Sequence, residues 1–306
     1  MTEHTPRQPT SRPRPAAFHT TSRLSTGRRA FLGGAGAVAL ATLAGCLGRG
    51  VVGGLDTQRV SESTASSLPA TEVRDVRVDN SVGDVSVRAV DTDTVDVAFL
   101  KRSRDGQRGL DAITTRTELR DDGVLVVSTA VPDHDWAAES VPTVDVTVTL
   151  PTGPAAPTLS AVETVLGDID VRDTRGDARL TTELGSIRAI RIEGFLTLRS
   201  EAGDIAVSDV TGIDGASTDL GRLTLDLLGM RGDVDVDTDL GEIDLRVADD
   251  LDLDLDAAGS AVDSDLLLFD RRAGVGRLSG RLNAGGRRLR VSSNLGSVSV
   301  RSLRRD

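Results

Sequence analysis

The chain has no tyrosine, one tryptophan, one lysine and one cysteine in 306 residues, and aromatic residues make up only 2% of it. The lone cysteine, Cys46, excludes a disulfide within the chain, and any oxidising compartment must be met without one. Histidine is nearly as scarce, at His4, His19 and His134. Beyond residue 45 only His134 remains, which excludes His-based metal sites, and with Cys46 read below as the lipid-bearing residue no free thiol is left for a Cys–His nucleophile. A Ser–His–Asp set built on His134 would have to sit in Asp133-His134-Asp135-Trp136, which reads as an exposed loop between strands. Stacked aromatic platforms for sugars are hard to assemble from Phe99, Trp136, Phe195 and Phe269. Carboxylate pairs are plentiful because aspartate is plentiful, so they do not single out a glycoside hydrolase site. The expectation is a protein that is not an enzyme and holds no cofactor. The alternative is an envelope-polymer binding protein or hydrolase with its site near Trp136.

Charge of one sign is in excess. The whole chain carries −11 at pH 7, from 36 basic and 47 acidic residues. The first 45 residues hold six Arg and one Glu, which leaves 30 basic and 46 acidic residues from Cys46 onward, a net charge of −16. Asp outnumbers Glu 37 to 10, and Lys101 is the single lysine. Such a composition resembles the proteins of a salt-loving archaeon, whose short surface carboxylates hold water and cations. It repels nucleic acid and requires ionic strength to screen its own repulsion. Monovalent or divalent cations are expected to associate with it non-specifically.

The basic residues that do cluster lie at the N-terminus. Thr26-Gly27-Arg28-Arg29-Ala30-Phe31-Leu32 resembles a twin-arginine export signal, with Arg28, Arg29, Phe31 and Leu32 as the recognised positions. The apolar stretch Ala30–Gly45 is about sixteen residues long, short for a membrane span, and its four glycines each cost roughly 1 kcal/mol in a helix. It ends in Leu43-Ala44-Gly45-Cys46, which looks like a lipobox and makes Cys46 the expected lipidation site. Residues 1–45 are therefore read as signal peptide. Residues 46–70, with Gly50, Gly53, Gly54 and four serines, are read as a flexible linker. The expected location is the extracellular face of the cell membrane, reached through the lipid.

From residue 71 the chain alternates as strands do. Val82-Gly83-Asp84-Val85-Ser86-Val87, Thr94–Phe99, Val124–Val131 and Val144–Leu150 are the clearest runs, and Asp121-Asp122-Gly123 reads as a hairpin turn. Residues 103–112 could hold a short helix or a loop. Residues 71–152 are taken as an N-terminal β-region of antiparallel type. Residues 153–306 are a repeat: glycines recur at 167, 176, 185, 194, 203, 212 and 221, and a stronger motif returns every 18 residues. It reads Thr182-Glu183-Leu184-Gly185-Ser186-Ile187, Ser200-Glu201-Ala202-Gly203-Asp204-Ile205, Thr218-Asp219-Leu220-Gly221-Arg222-Leu223 and Thr238-Asp239-Leu240-Gly241-Glu242-Ile243.

Columns taken through the repeat predict a parallel β-solenoid of about eight coils spaced roughly 4.8 Å apart. Ile169, Ile187, Ile205, Leu223 and Ile243 form one apolar column, and Leu166, Leu184, Ala202, Leu220 and Leu240 another. Both are expected in the core, with glycine at each corner where the backbone turns. Thr164, Thr182, Ser200, Thr218 and Thr238 make a hydroxyl column. Arg222 falls between Asp204 and Glu242, and Asp170 should stack against Arg188. Glu183, Glu201, Asp219 and Asp239 are acids in succession, a weak cation column at most, because the three-glycine calcium-roll pattern is missing. The repeat lapses over 260–285, where Leu266–Phe269 and Arg271-Arg272 could cap the core, and Leu295-Gly296-Ser297-Val298 is a last copy.

These motifs resemble the putative-adhesin domain family of unknown function, β-solenoid domains of bacterial and archaeal envelope proteins. The resemblance covers roughly 71–304. It rests on Gly83-Asp84-Val85-Ser86-Val87, Val148-Thr149-Leu150-Pro151, the Gly-Asp-Ile/Val-x-Val coils, and Leu289-Arg290-Val291 with Gly296-Ser297-Val298. It implies the fold and a non-catalytic surface role as adhesion or scaffold module, with an unidentified envelope partner, and supplies no catalytic residues. If Cys46 carries lipid, the mature protein partitions into detergent and Cys46→Ser releases it or stalls processing. Arg28→Lys with Arg29→Lys should abolish export, as read by the precursor left inside the cell; normal export of that variant would refute the twin-arginine assignment.

Overall fold

The computed structural model describes residues 60–132 and 141–303. Among them only Gly106–Ala112 is α-helical and Ala70–Glu72 forms a 3-10 turn; nearly all the rest is strand. The export signal, the lipobox with Cys46, and His134 and Trp136 lie outside the described residues.

The 18-residue repeat closes as a parallel solenoid. After each glycine corner, Ile169, Ile187, Ile205, Leu223, Ile243 and Val298 stand in register on adjacent parallel strands. Before it, Val162, Leu180, Leu198, Ala216, Val236 and Val291 do the same. All twelve are at most 2% exposed. The strand alternation sends every second side chain inward, and identical spacing puts like on like, so one apolar core runs through all the coils.

The order of coils in space is not the order in the chain. Asp75–Val82 and Val85–Val90 form an early coil whose strands pair in parallel with Thr158–Leu166 and Ile169–Arg172 on one side. On the other side they pair, again in parallel, with Val124–Ala130 and Thr143–Pro151, which come later in sequence than that coil but earlier than 158–172. The region 71–152 is therefore mixed, not antiparallel throughout: its valine runs alternate like any strand, and alternation carries no information about partner direction. Thr94–Ser103 and Thr114–Leu119 do pair antiparallel, the latter with Val124–Ala130 across the expected turn at Asp121-Asp122-Gly123. The same device recurs at the other end. Arg287–Leu295 and Ser297–Leu303 slot between Val234–Ala248 and the strands Leu253–Ala258 and Ala261–Ser264. The last motif copy is thus an internal coil. The outer one is covered by an antiparallel hairpin, Leu268–Gly274 with Arg277–Leu282, which buries Leu278 and Leu282 but leaves Leu267 and Phe269 exposed.

The linker expected over 46–70 ends sooner. Val60–Pro69 is an edge strand, antiparallel to Thr94–Ser103, and only Leu68 is buried in it. A strand held by backbone hydrogen bonds at a sheet edge has no need of an apolar period, so composition alone made it look unstructured. The helix Gly106–Ala112 lies within the segment left open as helix or loop, packs against Val60–Pro69 and Thr94–Ser103, and buries Leu110.

Glycine at the corner answers to a close approach more than to dihedral freedom. A Cβ on Gly203 would overlap the carbonyl oxygen of Gly185, and Gly167, Gly185, Gly221, Gly241 and Gly296 each meet the preceding corner glycine in the same way. At Gly215, away from the corner, the nearest atom to a Cβ would be Asp235 O at 3.5 Å. Gly203→Ala should therefore cost roughly 3 kcal/mol while Gly215→Ala is tolerated, as read from urea midpoints. Ile205, 0% exposed, cannot take a charge: Ile205→Asp should unfold the coil stack outright.

Candidate functional site

The corner that carries Gly185 and its equivalents orders three rows of side chains along the solenoid. The innermost is the hydroxyl column, which the structure places in the core. Thr182, Ser200, Thr218 and Thr238 are at most 2% exposed. Each hydroxyl donates to the carbonyl of the glycine one coil back: Thr182 to Gly167 O at 3.1 Å, Ser200 to Gly185 O at 3.0 Å, Thr218 to Gly203 O at 3.1 Å and Thr238 to Gly221 O at 3.3 Å. Ser293 continues the series to Gly241 O at 2.8 Å, and Thr164 begins it on Gly83 O at 3.3 Å; Asn80, at the equivalent place one coil earlier, donates Nδ2 to Val144 O of the adjacent coil at 3.2 Å and to Gly83 O of its own at 2.7 Å. Immediately after the glycine, Asp168 and Asp204 each accept the backbone N–H of the residue above them, Ser186 at 2.7 Å and Arg222 at 2.8 Å. Carboxylates in that column thus bond backbone first. Sequence inspection saw the columns but not this role. The available signal was that Thr182 stands two residues after the inward Leu180.

The two outer rows face solvent. The leucine column, expected in the core, is exposed: Leu184 53%, Leu220 49%, Leu240 45% and Leu295 65%. At the corner the alternation breaks and two successive residues, Glu183 and Leu184 among them, both point outward. The pairing Leu184↔Ala202, Ala202↔Leu220, Leu220↔Leu240, Leu240↔Leu295 keeps them in one line. Beside that line run the exposed Glu183, Glu201, Asp219 and Asp239, and the amide of Asn294 donates to Asp239 Oδ1 at 2.7 Å. On its other flank Arg222 pairs with Glu242 at 2.5 Å, as its place between carboxylates suggested. Asp170 stands opposite Arg188 in register, yet its carboxylate takes Arg172 two residues along its own strand, at 2.5 Å through both oxygens.

A shallow groove of about 360 Å³ adjoins the acid row, lined by Asp235, Asp237, Asp239, Arg290, Ser292 and Asn294. Partial desolvation, then the charges of Asp235 and Asp239, raise the carboxyl of Asp237 above its ordinary 3.8, and Arg199 pulls the other way. Among the described residues no three His, Cys, Asp or Glu side chains are arranged to hold a metal ion.

A further cluster escaped sequence inspection. The two-residue insertion between Gly221 and Gly241 brings Arg231 over the ring of Phe195, 4.5 Å from its centroid, where its guanidinium pairs with Asp177 and Asp214. Asp177 also accepts the Phe195 N–H at 2.9 Å, and that bond with Arg231 holds its carboxyl below the usual range. Asp177 and Phe195 stand one period apart, each just after a repeat glycine, but their residue types differ from coil to coil, so the column did not read as a cluster.

No family model matches the chain, and no curated protein matches it. Among solved structures it is similar to a putative adhesin from Bacteroides fragilis, at 12% identity and TM-score 0.38 over 80% of this chain and 97% of that one. It is similar also to a putative cell adhesion protein from Clostridium sporogenes, at 8% identity and TM-score 0.34 over 80% and 100%. A third is a putative lipid binding protein from Parabacteroides distasonis, at 11% identity and TM-score 0.33 over 79% and 97%. Likeness at this level assigns neither function nor site residues.

Stacked carboxylates predict a graded salt response. Glu201→Gln with Asp219→Asn should raise the melting temperature at low salt and change little at high salt, where the Debye length is short. If calcium rescues the wild type beyond sodium of equal ionic strength, and this variant loses that response, non-specific screening is refuted. Because the folded-state pKa of Asp237 is raised, its ionisation costs stability as pH rises past 3.8, and acid removes that cost. Asp237→Asn should therefore raise the melting temperature at neutral pH and leave it unchanged at about pH 3.

Proposed function

We propose that this chain is a non-catalytic lipoprotein of the cell surface, exported by the twin-arginine route and held to the membrane by lipid on Cys46. Its acidic β-solenoid serves as an adhesion or envelope-scaffold module. The observation that supports this reading best is the exposed leucine line at the glycine corner. Half-exposed leucines in one row are an unusual expense on an acidic surface. Folding does not require them, since Ala202 occupies the same row between Leu184 and Leu220. The line is carried on a corner whose backbone is bonded coil to coil, so it is presented in one rigid arrangement. Carboxylates border it, and the partner that fits pairs apolar side chains with basic ones.

The test replaces Leu184, Leu220 and Leu240 together by serine in the lipid-anchored protein. At exposed positions each change should alter stability by no more than about 0.5 kcal/mol, so the variant remains folded. Chemical cross-linking on intact cells should yield adducts of the wild type with envelope components that the variant loses. An unchanged adduct pattern would refute the leucine line as the contact surface. Catalytic turnover of an envelope polymer by the purified protein would refute the non-catalytic reading separately.

A further inference from the structure

Three departures from ordinary folding meet at a second corner of the coil, six residues after the glycine corner. Asp173, Arg191 and Asp209 hold φ of 58°, 53° and 56°, the left-handed region, in three successive coils. Side chains other than glycine avoid that region, and strain of this kind persists only where the surroundings enforce it. Next to the first of them is Thr174, 4% exposed, whose hydroxyl has no hydrogen-bond partner. Its counterparts one and two coils on are Ile192 and Val210, both buried, so the fold accepts a plain apolar residue at that position. A buried hydroxyl left without a partner is a cost that a valine there would avoid. Finally, all of these residues line one groove of about 740 Å³.

The groove has two unlike walls. One is the segment 151–157 with Leu150 before it; Leu150, Pro151, Pro154 and Pro157 line the groove, Pro154 exposed and the other three buried. The guanidinium of Arg175 donates to the carbonyl oxygens of Gly153 and Pro154 and so ties this wall to the coils. The other wall is the strained corner. There Arg191 grips Asp173 through both carboxylate oxygens, at 2.6 and 2.9 Å, and Asp209 adds its charge to Arg191. With Glu193 the charges number three carboxylates and two guanidiniums, a mixed set whose excess of one negative charge is too small to attract a strongly ionic ligand. Donors and acceptors stand side by side, facing an apolar wall of pyrrolidine rings.

We propose that this groove binds a short neutral saccharide. Vicinal hydroxyls both donate and accept, which suits the carboxylate–guanidinium wall, while the C–H faces of the rings lie against the prolines. One hydroxyl reaches Thr174 and supplies the missing partner. The volume falls within the range of small-molecule sites. Lacking an aromatic platform, a single groove binds weakly, and many anchored copies on one surface raise the avidity. This site is separate from the leucine line and stands or falls without it.

Saturation-transfer NMR on the full chain tests it, with maltotriose, cellotriose, mannotriose and chitotriose as probes and a proline-rich peptide as comparator. At least one saccharide should bind with a Kd in the millimolar range. Thr174→Val should raise the melting temperature, because it removes the unpaired hydroxyl, and should weaken that saccharide about tenfold. Asp209→Asn should weaken it too, whereas the triple leucine-to-serine variant should bind as the wild type does. A merely structural Thr174 would give the higher melting temperature with affinity unchanged, and that result overturns the proposal. So does the absence of binding by all four saccharides in the millimolar range, or tighter binding of the peptide at the same residues.

Discussion

Everything in this solenoid depends on how closely one coil approaches the next at the glycine corner. Parallel strands fix the coil spacing at about 4.8 Å, and at the corner the backbone itself fills that distance. The carbonyl of Gly185 lies where a side chain of Gly203 would be, and the same is true from Gly83 to Gly296. Turning the chain so tightly removes the corner carbonyls from strand pairing, and the buried hydroxyls of Thr182, Ser200, Thr218 and Thr238 restore their hydrogen bonds. A corner glycine and the hydroxyl that reaches its carbonyl from the next coil are thus one device. A coil that lost either would leave a clash or an unpaired buried carbonyl.

That device determines what can face outward. Because the corner admits no side chain at glycine, the residue before it is turned to solvent along with its acidic neighbour. A row of leucines and a row of carboxylates are the result, repeated at the coil spacing. The second corner uses different means: left-handed Asp173, Arg191 and Asp209, with an ion pair between the first two, and a glycine contact of Gly194 on Gly176 only three residues further on. One corner is a uniform edge and the other holds a groove, so the solenoid offers two surfaces of distinct chemistry.

Both ends of the stack solve the problem of unpaired strand edges by the same topology. The chain makes an inner coil, goes on to an outer segment, and returns to lay a strand beside the first. Val60–Pro69 and Thr114–Leu119 close one end with antiparallel pairing, and the hairpin of Leu268–Gly274 with Arg277–Leu282 closes the other. Charged Asp270, Arg271 and Arg272 on the outermost strand discourage another chain from pairing with it.

The repeat was legible in the amino-acid pattern alone: its period, its register, the inward column through Ile187 and Ile205, the acid row and the hairpin at Gly123. These are local or periodic properties, and stacking copies of one coil converts spacing along the chain directly into contact in space. The same pattern misplaced Leu184, Leu220 and Leu240, because hydrophobicity does not say on which side of a sharp turn a side chain falls. It did not distinguish parallel from antiparallel partners in 71–152, since alternation looks alike in both, and it took the edge strand Val60–Pro69 for linker because backbone pairing leaves no mark on side-chain pattern. The order of the coils, the clamp of Arg231 on Asp177 and Asp214, and the closing of the groove around Thr174 by residues 151–157 became visible only in three dimensions. Each brings a segment outside the regular repeat against the coils, and that proximity is set by how the whole stack closes.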